Sequence, residues 1–153
     1  MAGFSNELEK AILEWLFKGQ SMPANPTALW VSLHTGDPEG DGANELPIGT
    51  EAYARVNLAP DAGVGAGNWS AIRAGTGANA DAQEIANVGV VTFPVAGGDG
   101  WGSVTHFGIW NHETNTAAAN FLFGGEINGG AGATVGVGVQ PSFPADNLIA
   151  EQD

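Results

Sequence analysis

The chain has 153 residues, including 24 glycines and no cysteine. This length suffices for one domain with its own core, and the lack of cysteine excludes disulfides, thiolate nucleophiles and thiolate metal sites. Four basic residues against 17 acidic ones give a formal net charge of −13. That charge argues against binding to nucleic acid or to anionic membranes, because both would repel the chain. With no apolar run of membrane-spanning length and no signal-peptide pattern, we expect synthesis in the cytoplasm without standard secretion.

The N-terminal region predicts an amphipathic helix over residues 5–18. Glu14 and Lys18 stand four residues apart, in the order that stabilises a helix, and Gly19 is placed to end it. Apolar residues recur at the spacing of one helical face, at Phe4, Leu8, Ala11, Ile12, Trp15 and Leu16.

Two features of this helix carry specific expectations. Asn6 with Glu9 fits a capping box at its start, and Ser5 is an alternative cap. The face that carries Trp15 must be buried, either on the protein's own sheet or on a neighbouring subunit. Burial on its own sheet is the expectation we favour.

After Pro26 the apolar period changes from helical to alternating, which is typical of strands. Together with the frequent turn residues, this pattern predicts a single domain over residues 1–153. Its fold is mainly β, an antiparallel β-sandwich (jelly-roll-like) over about 27–150 that follows the helix. About seven short strands are expected, within residues 27–34, 51–59, 69–72, 84–88, 90–95, 103–111 and 120–127, with a further alternating tail over 133–150.

The clearest strand lies in the segment GWGSVTHFGIWN, residues 100–111. Alternation places Phe107 and Ile109 on one face, and Val104, His106 and Trp110 on the other. The second face then needs a cover, which we expect to be a second sheet, the helix or another copy of the protein.

No motif in the sequence predicts catalysis or a cofactor. The acidic loop over 37–45 places Asp37, Glu39 and Asp41 at calcium-loop spacing, but Ile48 stands where a bidentate Glu is required, so a solvated turn is favoured over a calcium site. The three histidines at 34, 106 and 112 lie in no zinc-binding pattern. No nucleophile elbow or phosphate-binding loop is present.

The tryptophans allow two interpretations. Trp30, Trp69, Trp101 and Trp110 fit a sugar-stacking surface, or else a core or subunit interface, and the second is favoured. The candidate interface or core residues are therefore aromatic, namely Trp15, Trp30, Trp101, His106 and Trp110.

Five segments follow one another as in a family of small tailed-bacteriophage virion proteins, commonly labelled tail fibre or virion-associated proteins. They are ALWVSLHTGDPEG, AYARV, VTFPVAGGDGWGSVTHFGIWN, NFLFGGEI and QPSFPADNLIA. The chain resembles this family over nearly its whole length, and the segment between Trp101 and Trp110 is the most specific part. A long glycine-rich loop over 61–87 departs from the family pattern.

The resemblance implies a non-enzymatic structural protein on the virion surface, tail-fibre-like or associated with the tail tip. It brings no catalytic residues or cofactors. The expected partners are copies of itself, with a trimer as the expected state, and other phage capsid or tail proteins. A capsid head-decoration protein is the alternative, and a carbohydrate-binding module that contacts the host surface is a further one.

Overall fold

A computed structural model describes residues 3–58, 68–75 and 82–152. This part of the chain is mainly β, with antiparallel strands throughout. Its helix α1 spans Asn6–Lys18. The strands are β1 Gly3–Phe4, β2 Trp30–His34, β3 Val56–Asn57, β4 Arg73–Ala74, β5 Gln83–Ala86, β6 Val91–Thr92, β7 Gly102–Val104, β8 His106–Trp110, β9 Phe121–Glu126, β10 Ala133–Val135, β11 Ser142–Phe143 and β12 Ile149–Gln152, and single 3₁₀ turns cover Thr50–Ala52 and Ala118–Asn120.

The largest sheet has five strands in the order β1-β9-β8-β2-β3. Its centre is β8, which pairs with β2 so that Val31 lies opposite Ile109, and with β9 on its other side. The remaining strands form short ribbons, β10-β7, β11-β6 and β12-β5-β4. The glycine-rich sequence accounts for this division, because turns interrupt the strands every few residues.

The core lies between one face of the five-stranded sheet and the ribbons. Phe107 from β8 packs edge-on against Phe143 from β11, and Phe93 packs edge-on against both Trp101 and Phe143. Val31 and Leu33 from β2 are fully buried in the same cluster. The predicted mainly β, antiparallel fold with one N-terminal helix is therefore confirmed.

The segment over 100–111 differs from the predicted single strand. It divides at Thr105 into β7, which pairs with β10, and β8, which pairs with β2 and β9. Val104 and Phe107 are both core residues, although they are three positions apart, so the alternation shifts by one residue at Thr105. Placing Val104 on the face of His106 and Trp110 was therefore wrong.

The helix begins and ends close to the predicted positions. Ser5 is its N-cap, and the Ser5 Oγ accepts a hydrogen bond from the Leu8 N–H at 3.2 Å. The capping box of Asn6 and Glu9 was wrong, and the alternative cap was the correct one. Lys18 lies 3.3 Å from Glu14, and Gly19 ends the helix in a left-handed conformation with φ of 65°.

Candidate functional site

The outer face of β8 is covered by the protein's own acidic loop. Trp110 is fully buried on the face of the sheet opposite to Phe107 and Ile109. Gly42, at φ of +85°, lies so close to this indole that a Cβ there would overlap the Trp110 ring. The expected covers were a second sheet, the helix or another copy. That expectation was wrong, because the acidic loop folds back over both β2 and β8.

A chain of hydrogen bonds runs through this buried face. The Trp110 Nε1–H donates to the Ser32 Oγ at 2.8 Å, and an indole N–H is only a donor. A carbonyl can only accept, so the His34 Nδ1–H donates to the Ala43 carbonyl at 2.6 Å and ties the loop to β2. Burial lowers the pKa of His34 and favours the neutral ring, in which Nε2 accepts from the Ser32 hydroxyl at 2.7 Å.

Arg55 closes the face beside the loop. Its guanidinium binds Glu45 through two hydrogen bonds of 2.7 and 2.6 Å and stacks 3.8 Å from the Trp110 ring. The same guanidinium donates to the carbonyls of His112 and Asn115. The Arg55 side chain thus holds together the acidic loop, β8 and the loop that follows β8.

These polar groups satisfy one another and are enclosed. Burial lowers the pKa of His34, with the hydrogen bond to the Ala43 carbonyl and the carboxylate of Glu45 opposing that shift. Tyr53 donates to Glu45 at 3.2 Å and accepts from the Leu33 N–H, and burial raises its pKa. A fully hydrogen-bonded buried network of this kind fixes structure.

The acidic loop uses its carboxylates for its own turns. The Asp37 Oδ1 accepts from the Glu39 N–H, and the Asp41 Oδ1 accepts from the Ala43 N–H, each at 3.0 Å. Within residues 3–58, 68–75 and 82–152, no group of three or more His, Asp or Glu is placed to hold a metal ion. In the same ranges, no helix is long and apolar enough to cross a membrane.

The tryptophans do not form a sugar-stacking surface. Trp69, Trp101 and Trp110 are all buried, which hides the ring faces that such a surface would present. Trp101 also donates from its Nε1 to the Glu51 carbonyl at 2.8 Å. Trp30 is half-buried, as is His106, whose Nδ1 lies 2.9 Å from the Thr105 hydroxyl.

The helix, in contrast, presents its aromatic side chains to solvent. None of its residues is buried, and the exposed fractions of Leu13, Trp15, Leu16 and Phe17 are 56, 53, 60 and 76 %. We call these four residues the α1 patch. The favoured expectation that the Trp15 face packs on the protein's own sheet was wrong, because the helix is attached mainly through its N-terminal end, where β1 pairs with β9 and the Ser5 N–H donates to the Leu122 carbonyl.

An open apolar groove of about 1100 Å³ separates the helix from the sheet. The residues that line it include Glu7, Ala11 and Glu14 of α1, residues 22–26 and Ile72. Core side chains such as Ile109 and Phe123 also line it. The groove thus reaches the core between the helix and the sheet.

The comparison with known families covers almost all of this structure. The family described as podophage GP4 fiber I protein gp80 matches residues 3–151. The matched span includes the helix, the residues that line the groove and every described strand except the last residue of β12. The chain belongs to this fiber I protein family. No curated protein matches it.

Membership of the fiber I protein family makes this chain a phage fibre structural protein and implies a place in the virion. In such a protein, an uncovered apolar helix and an open apolar groove are the features expected of an assembly contact. The α1 patch and the groove are therefore the candidate functional site.

The exposed side of α1 was not predicted from the sequence, although the apolar residues that form it could have indicated it. Leu13 and Phe17 lie outside the apolar face that contains Leu8 and Trp15, so apolar side chains cover more than half of the circumference in the second half of the helix. An apolar surface that wide is more than one contact with a sheet ordinarily covers. The groove had no local signal, because its walls come from segments far apart in the chain.

Proposed function

We propose that this protein is a non-enzymatic structural subunit of the phage tail, fibre-like or associated with the tail tip. It acts by self-assembly and by docking onto larger virion proteins. The observation that carries this proposal is the family match over residues 3–151. The label of that family is a fibre protein, which favours the tail over the capsid.

The distribution of polar and apolar groups supports a structural role. The buried histidine, arginine and tyrosine at positions 34, 55 and 53 are engaged in holding loops against β2 and next to the end of β8. The open groove is instead lined mainly by apolar side chains. Burial of apolar surface is the main favourable contribution to protein association, so this groove suits assembly.

The number of copies in each virion tests the proposal against the capsid-decoration alternative. Purified virions are digested, and peptides of this chain are quantified against those of the major capsid protein as an internal standard. A tail component is expected at about a dozen copies, because a closed ring around a tail repeats a subunit only a few times. Copies on the order of hundreds would instead assign the chain to the capsid surface, where symmetry repeats the subunit far more often.

A further inference from the structure

We propose that the chain docks onto a larger virion protein through the ribbon that β6 and β11 form over residues 90–96 and 137–144. The partner presents an apolar surface with Lys or Arg side chains at its edges. The residues that line the groove beside α1 lie elsewhere in the chain, so this is a second surface. The inference rests on the proposed function and names the chemistry of the docking partner.

The ribbon is apolar on the side that faces solvent as well as on the side that faces the core. Val91 and Phe93 belong to the core. Strands with one face in water alternate apolar and polar residues, whereas a near-continuous apolar run such as VGVVTFPVA, residues 88–96, is typical of a strand that is covered on both faces. Four valines of the ribbon are nevertheless exposed, by 64, 49, 62 and 44 %, and we call them the valine face: Val90, Val95, Val137 and Val139.

The valine face extends along the ribbon because its two arms are paired. β6 pairs with β11, and beyond this pair the Ala96 N–H donates to the Val139 carbonyl at 2.9 Å. Val95 and Val139 are therefore neighbours at one end of the ribbon, and Val90 lies at the other end. The exposed residue between them on the first arm, Thr92, is uncharged.

The ribbon carries no charge in a strongly charged protein. Residues 85–98 and 127–145, which supply both arms and their flanks, contain no Asp, Glu, Lys or Arg, although the chain has 17 acidic and four basic residues. Depletion of charged residues is the compositional feature of the centre of a protein interface. An exposed apolar surface that no charge interrupts therefore indicates a docking surface.

One end of the valine face is bordered by two carboxylates. Asp99 is exposed in the turn that follows the first arm, and the Gly100 N–H closes this turn by donating to the Gly97 carbonyl at 2.8 Å. The Glu51 carboxylate lies against Gly98 of the same turn. This end of the ribbon is therefore acidic.

The other end of the valine face is also acidic. Asp146 lies three residues after β11, and its side chain is exposed. Arg73 pairs with Asp146 at 3.0 Å and with Glu84 at 2.6 Å, so these three side chains together carry one net negative charge. An apolar partner surface with basic side chains at its edges complements both ends of the valine face.

These charges favour a different protein over a second copy of the chain. In a symmetric pairing of two valine faces, an acidic end of one copy meets an acidic end of the other, because neither end is basic. Like charges opposite each other across an interface oppose binding, and each copy brings a net charge of −13. A partner with Lys or Arg beside an apolar patch meets opposite charges at both ends.

Incorporation of variants into particles tests the valine face. A phage that lacks the gene is grown on cells that supply the chain, and peptides of the chain are quantified in purified particles against the major capsid protein. Val139→Lys buries an unpaired charge in the contact, so we expect about tenfold fewer copies in each particle. Equal copy numbers for Val139→Lys and the wild type would overturn the inference.

Two control variants accompany Val139→Lys. Val139→Thr keeps the branched shape of the side chain without a charge, and Thr114→Lys adds the same charge in the exposed loop that follows β8. Both are expected near the wild-type copy number, with melting curves by circular dichroism confirming that all three variants fold. A loss for Thr114→Lys as large as that for Val139→Lys would also overturn the inference.

A matched pair of charge reversals tests the acidic ends. Asp99→Lys and Glu39→Lys change the net charge of the chain equally, and both residues are exposed. Glu39 lies in the acidic loop, on the opposite face of the five-stranded sheet from the ribbon. We expect Asp99→Lys to lower the copy number severalfold and Glu39→Lys to leave it unchanged, and equal effects would contradict a partner with basic edges.

Photo-crosslinking in intact particles identifies the partner. A benzophenone side chain is introduced in place of Val90 and, as the control, in place of Glu39, and the crosslinked peptides are sequenced after irradiation. We expect position 90 to crosslink to a larger virion protein, at a peptide that contains Lys or Arg, and position 39 not to reach that protein. Crosslinks from position 90 only to a second copy of the chain, or no crosslink, would overturn the inference.

The same particles separate failure of this inference from failure of the proposed function. Wild-type chain at tail copy number, together with Val139→Lys at the same number, rejects the valine face as the docking surface and leaves the structural role in the tail standing. Absence of the wild-type chain from particles contradicts the proposed function itself.

Discussion

The Arg55 guanidinium lies 3.8 Å from the centroid of the Trp110 ring, with both residues buried. Through its Nε and one Nη, the guanidinium forms the two-point ion pair with Glu45, whose side chain is only 7 % exposed. One arginine therefore compensates a buried carboxylate and packs against the central strand of the sheet. Three of the predictions below concern this face of the protein.

Arg55→Ala is expected to lower the free energy of unfolding by about 3–5 kcal/mol, because it leaves the Glu45 carboxylate buried without its partner. Arg55→Lys keeps the charge but loses the two-point geometry, so we expect a smaller loss. Urea unfolding followed by circular dichroism measures both. Lys18→Ala is the control, since its exposed ion pair with Glu14 contributes only a few tenths of a kcal/mol, and a loss for Arg55→Ala no larger than this control would contradict the role given to Arg55.

Gly42→Ala is expected to destabilise the protein more than Gly49→Ala. The two glycines have nearly the same φ, +85° and +82°, but a Cβ at residue 42 would overlap Trp110 while one at residue 49 has no atom within 4 Å. Both substitutions carry the backbone strain of about 1 kcal/mol, and only the first adds overpacking of about 1–3 kcal/mol. Equal melting temperatures would show that the acidic loop does not press against Trp110.

Because of His34, we expect the free energy of unfolding to fall on mild acidification. Its pKa is lowered from 6.5 by burial, so below pH 6.5 the unfolded chain takes up a proton that the folded chain resists. The His34 contribution is therefore fully present above pH 6.5 and is lost as the pH falls toward the folded pKa, with a slope of at most about 1.4 kcal/mol per pH unit.

The measurement is the free energy of urea unfolding at a series of pH values between about 5 and 8, for the wild-type chain and for His34→Gln. The pH dependence of the wild type minus that of the variant isolates His34 from the carboxylates, which titrate in both. Parallel curves for the two proteins would rule out a neutral, buried His34 in the folded state.

Two phenylalanines are expected to differ strongly in their effect on stability. Phe17→Ala alters a side chain that is 76 % exposed, so we expect a change within about 0.5 kcal/mol. Phe107→Ala removes a core ring that is 2 % exposed, with an expected cost of about 3–5 kcal/mol. Measured at a concentration where the chain is monomeric, a large loss for Phe17→Ala would place α1 in the core of its own subunit.

The elements that could be predicted are those whose determining residues lie close together in the sequence. The helix could be placed from its apolar spacing, the Glu14 and Lys18 pair and the terminal Gly19, all within one segment. The antiparallel, mainly β fold followed from alternation and turn residues. The register shift at Thr105 could not be predicted, because it depends on two strands, β7 and β8, joining different sheets through partners far along the chain.

Local sequence patterns also could not predict what would pack over Trp15 and over Trp110. Amphipathicity shows that a helix face needs a partner but does not identify it, so the sequence did not distinguish a sheet from a second subunit for Trp15. The cover of Trp110 depends on Gly42 and Arg55, whose positions are set by loop geometry and by a buried ion pair. Neither feature has a periodic signature.

Labelling of intact virions tests the central claim, a structural role in the tail, most directly. Purified particles are incubated with a gold-conjugated antibody raised against the folded chain and are examined by electron microscopy, with particles lacking the protein as the control. We predict gold at the tail and none above the control level on the capsid. Gold distributed over the capsid, or no binding to particles that contain the chain by mass spectrometry, would contradict a surface-exposed tail protein.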